Sequence, residues 1–388
     1  MAASVRFEFA TATRIVFGPG TSREIGPLAK KLGRSALVVS GRDTRRAEPL
    51  ISLLREQGVG AVAFSVSGEP EVETVRQGVT LARGEKCDLV ISFGGGSALD
   101  AGKAIAAMLA NEGELLDYVE VIGRGKALAK PSAPFVAIPT TAGTGSEVTR
   151  NAVLASPEHA VKVSLRSPFM LPRIALVDPE LTYDLPPAIT ASTGLDALTQ
   201  LIEPYVCARA NPMTDALCVD GIRRAACSLR AAFENGRNAA AREDMAVASL
   251  FGGLALANAG LGVAHGLAGP IGGRFAAAHG AVCAALLPHV METNLRALRD
   301  RQPASETLQR YEQVARLVTG NATALAEAGV QWVRKLVQDL QIPPLGHYGI
   351  QREHVAELVE KAAQASSMKA NPIALTAEEL ADILQRAI

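Results

Sequence analysis

The first half of the chain alternates short apolar runs with amphipathic segments. Five runs of four to six residues, rich in β-branched and other apolar residues, predict buried strands: Ser35–Ser40, Ala61–Val66, Asp88–Phe93, Phe135–Ile138 and Ile174–Val177. Between some of these runs, Ser22–Leu32 and Val72–Arg83 carry apolar residues at helical spacing. Such alternation is typical of a parallel sheet covered by helices on both faces.

The pattern changes in the second half, where convincing strand signals disappear. Long segments rich in Ala and Leu predict helices at Ile189–Ala208, Asp215–Phe233 and Ala240–Ala259. We therefore expect an α/β domain at residues 1–186 and an all-helical domain at 187–388. Residues 5–10 alternate like a strand, and we expect them to pair across an edge strand in a homo-oligomer.

Composition narrows the possible partners and the compartment. The 388 residues include 39 basic and 39 acidic side chains, so charge gives no reason to expect a nucleic-acid or anionic-membrane partner. The five cysteines are odd in number and share no CxxC spacing, which indicates reduced, mostly buried thiols. The chain shows neither signal-peptide pattern nor a run of eighteen apolar residues. We expect a cytoplasmic protein without a membrane partner.

Two glycine-rich loops predict a nucleotide site. In DLVISFGGGSALDAGKAIAAM a strand leads into three glycines, with Ser97 as the expected N-cap of a helix that carries Asp100 and Lys103. Glycines let the backbone approach a pyrophosphate, and a helix N-terminus offers free N–H groups. A tight strand–helix turn explains the glycines nearly as well. The second loop, AIPTTAGTGSEVTRNAV, follows another strand end, so a ligand shared by the two loops is favoured.

Asp196, Gln200, His265 and His279 form a candidate metal site. Asp196 and Gln200 lie four residues apart, which places them on one face of a helix, and the two histidines follow in one later stretch. Asp196 and Gln200 could instead be a buried pair that is hydrogen-bonded and inert. Each histidine alone could be an ordinary core or surface residue. Taken together, the four favour a metal site in an enzyme.

These segments, with DPELTYDLPPAITASTGLDALTQLIEPYV and GLAGPIGGRFAAAHGAVCAALLPHVM, resemble the iron-containing (group III) alcohol dehydrogenase family over essentially the whole chain. The resemblance implies a dehydroquinate-synthase-like fold with the active site in the cleft between two domains. It also implies a homo-oligomer, a dimer or larger. The implied reaction is metal-dependent, NAD(P)-linked hydride transfer between nicotinamide C4 and an alcohol, aldehyde or ketone. Fe²⁺ or Zn²⁺ would act as the Lewis acid.

The resemblance assigns the cofactor contacts. Gly95, Gly96 and Ser97 would hold the pyrophosphate with Asp100 at the same loop, and the remaining contacts would come from Thr140, Thr141 and Lys162. Thr140 and Thr141 would flank the adenine and ribose side, and Lys162 would reach the nicotinamide ribose. Because Asn151 follows the threonine-rich loop, it is a further candidate to hydrogen-bond the substrate or a ribose.

Ser40 bears on the choice between NAD and NADP. It stands where the family often has an aspartate that accepts from the adenosine ribose hydroxyls, and Arg42, Arg45 and Arg46 follow it. Loss of an anion and gain of cations favour NADP. These arginines could equally begin a solvated helix.

In the implied metal site, Asp196, His265 and His279 match the family's ligands and are the expected catalytic residues. Gln200 stands where the family has a histidine, so it would bind through its carbonyl oxygen and hold the metal weakly. Gly269 occupies the place of a further family histidine that takes part in proton transfer. Two alternatives stay open: a metal-free nicotinamide-nucleotide-binding protein, or a polyol-phosphate dehydrogenase or lyase of the same superfamily.

Overall fold

The computed structural model describes residues 5–159 and 161–388. Its contacts divide the chain into two compact units. The α/β unit comprises Thr11–Thr141 and Gly145–Thr182, and the helical unit comprises Tyr183–Ile388 with Ala142–Thr144 and the described residues up to Ala10. The contact-based division therefore falls between Thr182 and Tyr183, and the predicted domain boundary after residue 186 stays a prediction.

The α/β unit is built on a six-stranded parallel sheet. The strands and helices of this unit are β1 Arg14–Phe17, α1 Ile25–Lys30, β2 Ser35–Ser40, α2 Glu48–Glu56, β3 Gly60–Ser65, α3 Val72–Gly84, β4 Leu89–Gly94, α4 Gly96–Ala110, α5 Leu115–Tyr118, β5 Phe135–Pro139, β6 Asn151–Ser156, β7 Val161–Arg166 and β8 Ile174–Val177. The order of the strands in the sheet is β1-β8-β5-β4-β2-β3. Every residue of β4, β5 and β8 is buried. Helices cover both faces, as the near-continuous apolar runs predict.

The five predicted strands are confirmed. β2 and β8 have the predicted bounds, β3 and β4 are each shifted by one residue, and β5 ends one residue later than predicted. Because β2, β4 and β5 are neighbours, their carboxyl ends meet at one edge of the sheet. This edge is where a ligand of a parallel sheet binds.

Three local features differ from expectation. Strands β6 and β7 form an antiparallel ribbon that the apolar runs did not reveal, because only alternate residues of β6 are buried. The helix predicted from Ser22 begins as a 3₁₀ turn at Thr21–Glu24, and α1 starts at Ile25, which places Pro27 in the first α-helical turn, where no N–H is needed. Residues 5–10 form no strand in the single chain, and their pairing with a second copy stays a prediction.

The helical unit contains no strand in Pro187–Ile388, as predicted. Its helices are α6 Pro187–Val206, α7 Pro212–Glu234, α8 Ala239–Asn258, α9 Val263–Arg274, α10 His279–Arg301, α11 Glu306–Thr319, α12 Ala326–Asp339, α13 Val355–Ala363 and α14 Ala377–Ala387. The three predicted helices are present as α6, α7 and α8. α7 starts earlier than predicted because Asn211 caps it and Pro212 takes its first position.

Two apolar clusters stabilise the helical unit. One joins α6, α7, α8, α10, α11 and α12, and the other joins α9, α10, α13 and α14. α10 contributes to both clusters, and α6 and α10 pack directly on each other. Within the described ranges, no one helix is long and apolar enough to span a membrane; a single pair bent by 95°, α8 with α9, meets the length and composition criteria only when joined.

Candidate metal centre and nucleotide-binding loops

Asp196 and Gln200 lie side by side on α6, as their spacing predicts. Both are buried, and Nε2 of Gln200 donates a hydrogen bond to Oδ2 of Asp196 over 3.0 Å. The bond assigns the amide orientation, because two oxygens facing each other would repel. Oδ1 of Asp196 and Oε1 of Gln200 make no hydrogen bond. Asp196 therefore keeps one oxygen available to its surroundings.

His265 lies in the first turn of α9, next to Asp196. Its Nε2 lies 3.4 Å from Oδ1 of Asp196, and its Nδ1 lies 2.6 Å from Oε2 of Glu203. The other oxygen of Glu203 accepts the backbone N–H of Ala264, so the carboxylate also satisfies an N-terminal donor of α9. The absence of a side chain at Gly262 leaves room for that oxygen, because a Cβ there would lie only 2.8 Å from it. Glu203 therefore fixes the ring and leaves Nε2 directed at Asp196.

His279 and Cys283 lie one turn apart on α10 and complete the group. Nε2 of His279 is 4.0 Å from Oδ1 of Asp196 and 3.7 Å from Sγ of Cys283. α10 approaches α6 closely here, since a Cβ on Gly280 would fall 2.4 Å from the backbone oxygen of Ser192. The His265 and His279 ring centroids are 5.5 Å apart. One ligand atom from each of Asp196, His265, His279 and Cys283 fits within a mutual distance of 4.8 Å.

The buried polar atoms of this group fit a divalent cation. Oδ1 of Asp196, Oε1 of Gln200 and Nε2 of His265 are buried without a hydrogen bond, a costly state unless a ligand satisfies them. A carboxylate and two imidazoles are the donors that Fe²⁺ and Zn²⁺ take in proteins. The side chain of His279 is 36% exposed, whereas those of Asp196 and His265 are almost fully buried. The group is thus accessible on its His279 side.

Ionisation in the cluster favours anionic ligands. Burial alone raises the pKa of the Asp196 carboxyl, but the neighbouring His265 and His279 lower it more, and the net shift is downward. The pKa of the Cys283 thiol behaves alike: burial raises it, the two imidazoles lower it further, and the net shift is downward. By contrast, burial raises the pKa of the Cys218 thiol, which lies outside the cluster, well above its ordinary value.

Two members of the site were not identified from the sequence. Glu203 lies three residues after Gln200, and Cys283 four residues after His279, so both follow the helical spacing that linked Asp196 to Gln200. Cys283 was predicted to be an ordinary buried thiol. All five cysteines are free and four are buried, as expected, but Cys283 faces ligands. Gly269 leaves space, because a Cβ there would meet no atom within 4 Å.

In the α/β unit, three strand ends converge around the glycine loop. A Cβ on Gly94 would lie 3.5 Å from the backbone nitrogen of Gly41, which follows β2. A Cβ on Gly95 would lie 3.4 Å from Cγ2 of Thr141, and the N–H of Thr140 donates to Gly94. The helix N-cap is Gly95, so the prediction that Ser97 caps α4 is wrong: Ser97 already lies in the first helical turn.

Asp100 and Lys103 form a satisfied network beneath the second loop. The carboxylate of Asp100 accepts from Oγ of Ser146 at 2.6 Å and from the backbone of Val153 at 3.0 Å. Nζ of Lys103, fully buried, lies 3.1 Å from Asp100 and donates to the carbonyl of Ser146, to Oγ1 of Thr149 and to the carbonyl of Asn151. These bonds hold the loop to α4. Gly145 takes a left-handed conformation, φ 60°, which suits glycine.

The other predicted cofactor residues have ordinary contacts in the α/β unit. Ser40 is buried at the end of β2, and Asn151 begins β6. Nζ of Lys162, on β7, lies 3.2 Å from the carboxylate of Glu69. Their roles toward a cofactor stay predictions.

Comparison with known proteins matches both units to one family. The family model described as "Iron-containing alcohol dehydrogenase" matches residues 12–179, and the model described as "Fe-containing alcohol dehydrogenase family, C-terminal" matches residues 190–388. Together the two matches cover nearly the whole chain.

Individual relatives match at full length. The chain is 35% identical to a 1,3-propanediol dehydrogenase of Klebsiella pneumoniae, with 98% of each chain covered. It is 33% identical to an NAD-dependent methanol dehydrogenase of Bacillus methanolicus, over 96% of this chain and 97% of that one. Its structure resembles a crystal structure of 1,3-propanediol oxidoreductase with a TM-score of 0.92 and 36% identity, covering 99% of this chain and all of that one.

Proposed function

We propose, because the chain belongs to the iron-containing alcohol dehydrogenase family, that Asp196, His265 and His279 hold the metal of its active site. The protein is a metal-dependent, nicotinamide-linked alcohol oxidoreductase that acts on small molecules. The observation that carries the assignment of the site is the pair of buried, unbonded atoms, Oδ1 of Asp196 and Nε2 of His265, that lie in one cluster of possible ligands.

Each residue has a distinct task in this proposal. Asp196 supplies the anionic oxygen, and Gln200 holds its other oxygen. Glu203 keeps the proton of His265 on Nδ1 and so leaves Nε2 free to bind. His279, on the exposed side, borders the space from which a substrate oxygen would arrive. When bound, the metal supplies Lewis-acid polarisation of that oxygen, and the nicotinamide supplies the hydride chemistry.

Metal analysis of two matched variants tests this assignment. Protein purified anaerobically without an affinity tag, and reconstituted with Fe²⁺ or Zn²⁺, should hold close to one metal per chain. Asp196→Ala should lose the metal, whereas Asp184→Ala should keep it, because Asp184 is an exposed partner of Arg237. Wild-type protein that stays metal-free after reconstitution would contradict the assignment.

The glycine loop is the proposed pyrophosphate site. Gly95 and Gly96 lie at the N-terminus of α4, a 15-residue helix, and the lack of a side chain at Gly95 leaves room beside Thr141. Ser97 lies in the first turn, near the free N–H groups. Asp100 instead holds the second loop in place, so its part in cofactor binding is indirect. Gly95→Val should raise the KM for the cofactor without changing the metal content.

We further propose that the preferred cofactor is NADP. Ser40 and Gly41 put no anion at the carboxyl end of β2, and Arg42 and Arg46 are exposed without an ion pair in the described part of the chain. Arg45 contributes less, since Asp43 holds its guanidinium through two hydrogen bonds. The balance of charge near Ser40 therefore favours a 2′-phosphate.

The ratio of kcat/KM for NADP to that for NAD measures this preference. Arg42→Ala and Arg46→Ala should each lower the ratio by about 10-fold, the loss of one charge-assisted contact worth about 1.4 kcal/mol. Ser40→Asp should shift the ratio toward NAD still further through repulsion of the phosphate. Arg55→Ala, on α2, is the control and should leave it unchanged. A wild type that uses NAD better than NADP would contradict the proposal.

We also propose that the protein is a cytoplasmic homo-oligomer. Val5 and Phe7 expose much of their apolar side chains in the single chain, which supports association into a dimer or larger homo-oligomer. Five free thiols support a reducing, cytoplasmic location, and the neutral net charge supports the absence of a nucleic-acid partner. Light scattering after size exclusion tests the assembly, and Phe7→Ser should weaken it.

A further inference from the structure

Cys283 is the one nucleophilic side chain in the metal cluster that the assigned ligand set does not use. It is fully buried on α10, and its Sγ belongs to the group of four ligand atoms that lie within 4.8 Å of one another. Nε2 of His279 lies 3.7 Å from this sulfur. A buried thiol normally packs against apolar atoms, as Cys218 does in the core between α6 and α7. Cys283 instead faces one carboxylate and two imidazoles.

Gln200 is poorly placed to be the remaining ligand in its present orientation. Its Nε2 is committed to Oδ2 of Asp196, and its Oε1 lies beside Gly252, 3.5 Å from where a Cβ on that residue would be. Binding a metal through Oε1 would require the amide to turn and to give up the hydrogen bond that positions Asp196. A neutral amide oxygen is also a weak ligand for Fe²⁺ or Zn²⁺ beside a thiolate.

We propose that Cys283 is the fourth metal ligand of this protein and that Gln200 is a positioning residue for Asp196. The inference rests on the proposed metal site of Asp196, His265 and His279, and it replaces the predicted ligand role of Gln200. The resulting set, one carboxylate, two imidazoles and one thiolate, consists of ligand types that zinc takes in proteins, and a substrate oxygen would add to these four.

A thiolate changes the chemistry of the site in two ways. Sulfur is a soft donor, so it shifts preference from Fe²⁺ toward Zn²⁺ and Co²⁺. The thiolate also adds a second anion to Asp196, so the ligand charge balances a divalent ion instead of leaving one positive charge. A neutral centre polarises a substrate oxygen less strongly. The departure from histidine at position 200 and the thiol at position 283 are thus two parts of one altered site.

Cobalt spectroscopy of the full-length protein tests the proposal without relying on activity. Anaerobic titration of the metal-free protein with Co²⁺ should give a thiolate-to-cobalt charge-transfer band in the near ultraviolet that saturates at one equivalent. Cys283→Ala should lack the band and bind Co²⁺ more than about 100-fold more weakly, since losing a residue that only supports a ligand already costs about 10–100-fold. Cys218→Ala, which removes an equally buried thiol, is the control and should keep both the charge-transfer band and the Co²⁺ affinity.

Gln200→Ala distinguishes a metal ligand from a residue that only positions Asp196. It should retain the band at one equivalent and lower the Co²⁺ affinity by about 10–100-fold, as expected for loss of a residue that orients a ligand. A band that persists in Cys283→Ala would overturn the proposal. So would loss of all metal in Gln200→Ala with full binding in Cys283→Ala.

Failure of the two proposals can be told apart. One equivalent of Co²⁺ bound by the wild type without a charge-transfer band would overturn the Cys283 ligand and leave the Asp196–His265–His279 site standing. No binding by the wild type would overturn both. If Cys283→Ala does not fold, as judged by circular dichroism, ¹¹³Cd NMR of the wild type decides the question: a shift typical of a thiolate ligand supports the proposal, and a shift typical of oxygen and nitrogen ligands alone overturns it.

Discussion

The two units treat buried polar groups in opposite ways. In the α/β unit, Asp100 and Lys103 lie beneath the second loop, and both oxygens of Asp100 and the ammonium of Lys103 have protein partners. In the helical unit, Asp196 and His265 are equally buried, yet each keeps an atom without a hydrogen bond. The first arrangement is complete by itself and holds a loop to a helix. The second leaves buried atoms without a hydrogen bond, and a bound ligand would complete it.

The difference explains why charged side chains in similar surroundings have different functions. A satisfied buried network stabilises a local structure and is destabilising when broken. A group with unbonded atoms lowers the stability of the isolated chain and recovers that free energy when a ligand binds. Truncation of the first kind of residue should therefore affect folding, and truncation of the second kind should affect metal binding and turnover.

Asp196→Ala should have the largest effect of these variants. It should strongly reduce turnover and change the folding stability little. We expect kcat/KM for alcohol oxidation to fall by at least about 1,000-fold, because the centre that polarises the substrate oxygen is worth several kcal/mol. The free energy of unfolding of the metal-free protein should change by no more than about 1.5 kcal/mol, since one hydrogen bond, from Gln200, is lost and the attraction of the carboxylate to His265 and His279 is largely offset by the cost of burying it. Steady-state kinetics and urea unfolding measure the two quantities. A large loss of stability without metal would mean that the cluster is structural.

Asp100→Ala should show the reverse pattern. Its removal leaves Lys103 buried without its anion, so we expect the free energy of unfolding to fall by about 3–5 kcal/mol. The metal content of folded protein should not change. Asp184→Ala, which breaks an exposed ion pair, should cost no more than about 1 kcal/mol. Equal stability of Asp100→Ala and Asp184→Ala would refute the scaffold role of Asp100.

Glu147 makes the α/β unit sensitive to pH. Burial raises the pKa of its carboxyl to about 7, against a smaller opposing effect of Lys103. Because the folded-state pKa lies above the unfolded value near 4.5, the stabilising contribution is full below pH 4.5 and is lost as pH rises through 7. The loss is on the order of 3 kcal/mol, from about 1.4 kcal/mol per pKa unit. Unfolding of wild type and Glu147→Gln across this range should converge at low pH and separate above pH 7.

The helical unit should respond to acid through His289. Burial and the nearby charge of Arg386 lower its pKa to about 4, below the ordinary 6.5. The unfolded chain therefore takes up a proton first, and stability is lost as pH falls from 6.5 through 4. His289→Gln should reduce that acid sensitivity, as followed by thermal unfolding. An unchanged acid profile in the variant would assign the sensitivity to other groups.

Gly280→Ala should destabilise the helical unit moderately and weaken the metal site at the same time. The added Cβ would press on the backbone of Ser192, so α6 and α10 must separate slightly, at about 1–3 kcal/mol. The separation moves His279 and Cys283 away from Asp196, and metal affinity should fall with it. Full metal affinity in this variant would show that the close helix approach is not required for binding.

The strands of the sheet could be predicted because they are continuous buried apolar runs, of which Ser35–Ser40 has the predicted bounds. The ribbon of β6 and β7 could not, since half of β6 faces outward and its pairing depends on contacts distant in sequence. In the cluster, the spacing of Asp196 and Gln200 was informative. Glu203 and Cys283 were missed because helical spacing alone does not reveal which side chains on a helix point toward the Asp196 cluster.

We expect the incomplete cluster to bind a metal and the complete network not to bind one. Thermal unfolding of metal-free wild type, Asp196→Ala and Asp100→Asn with and without saturating Zn²⁺ tests this expectation directly. At 100 times its Kd, a metal bound only by the folded chain adds about 2.7 kcal/mol of stability. We predict a matching rise in Tm for wild type and Asp100→Asn and none for Asp196→Ala. An equal rise in all three, or no rise in the wild type, would contradict the account.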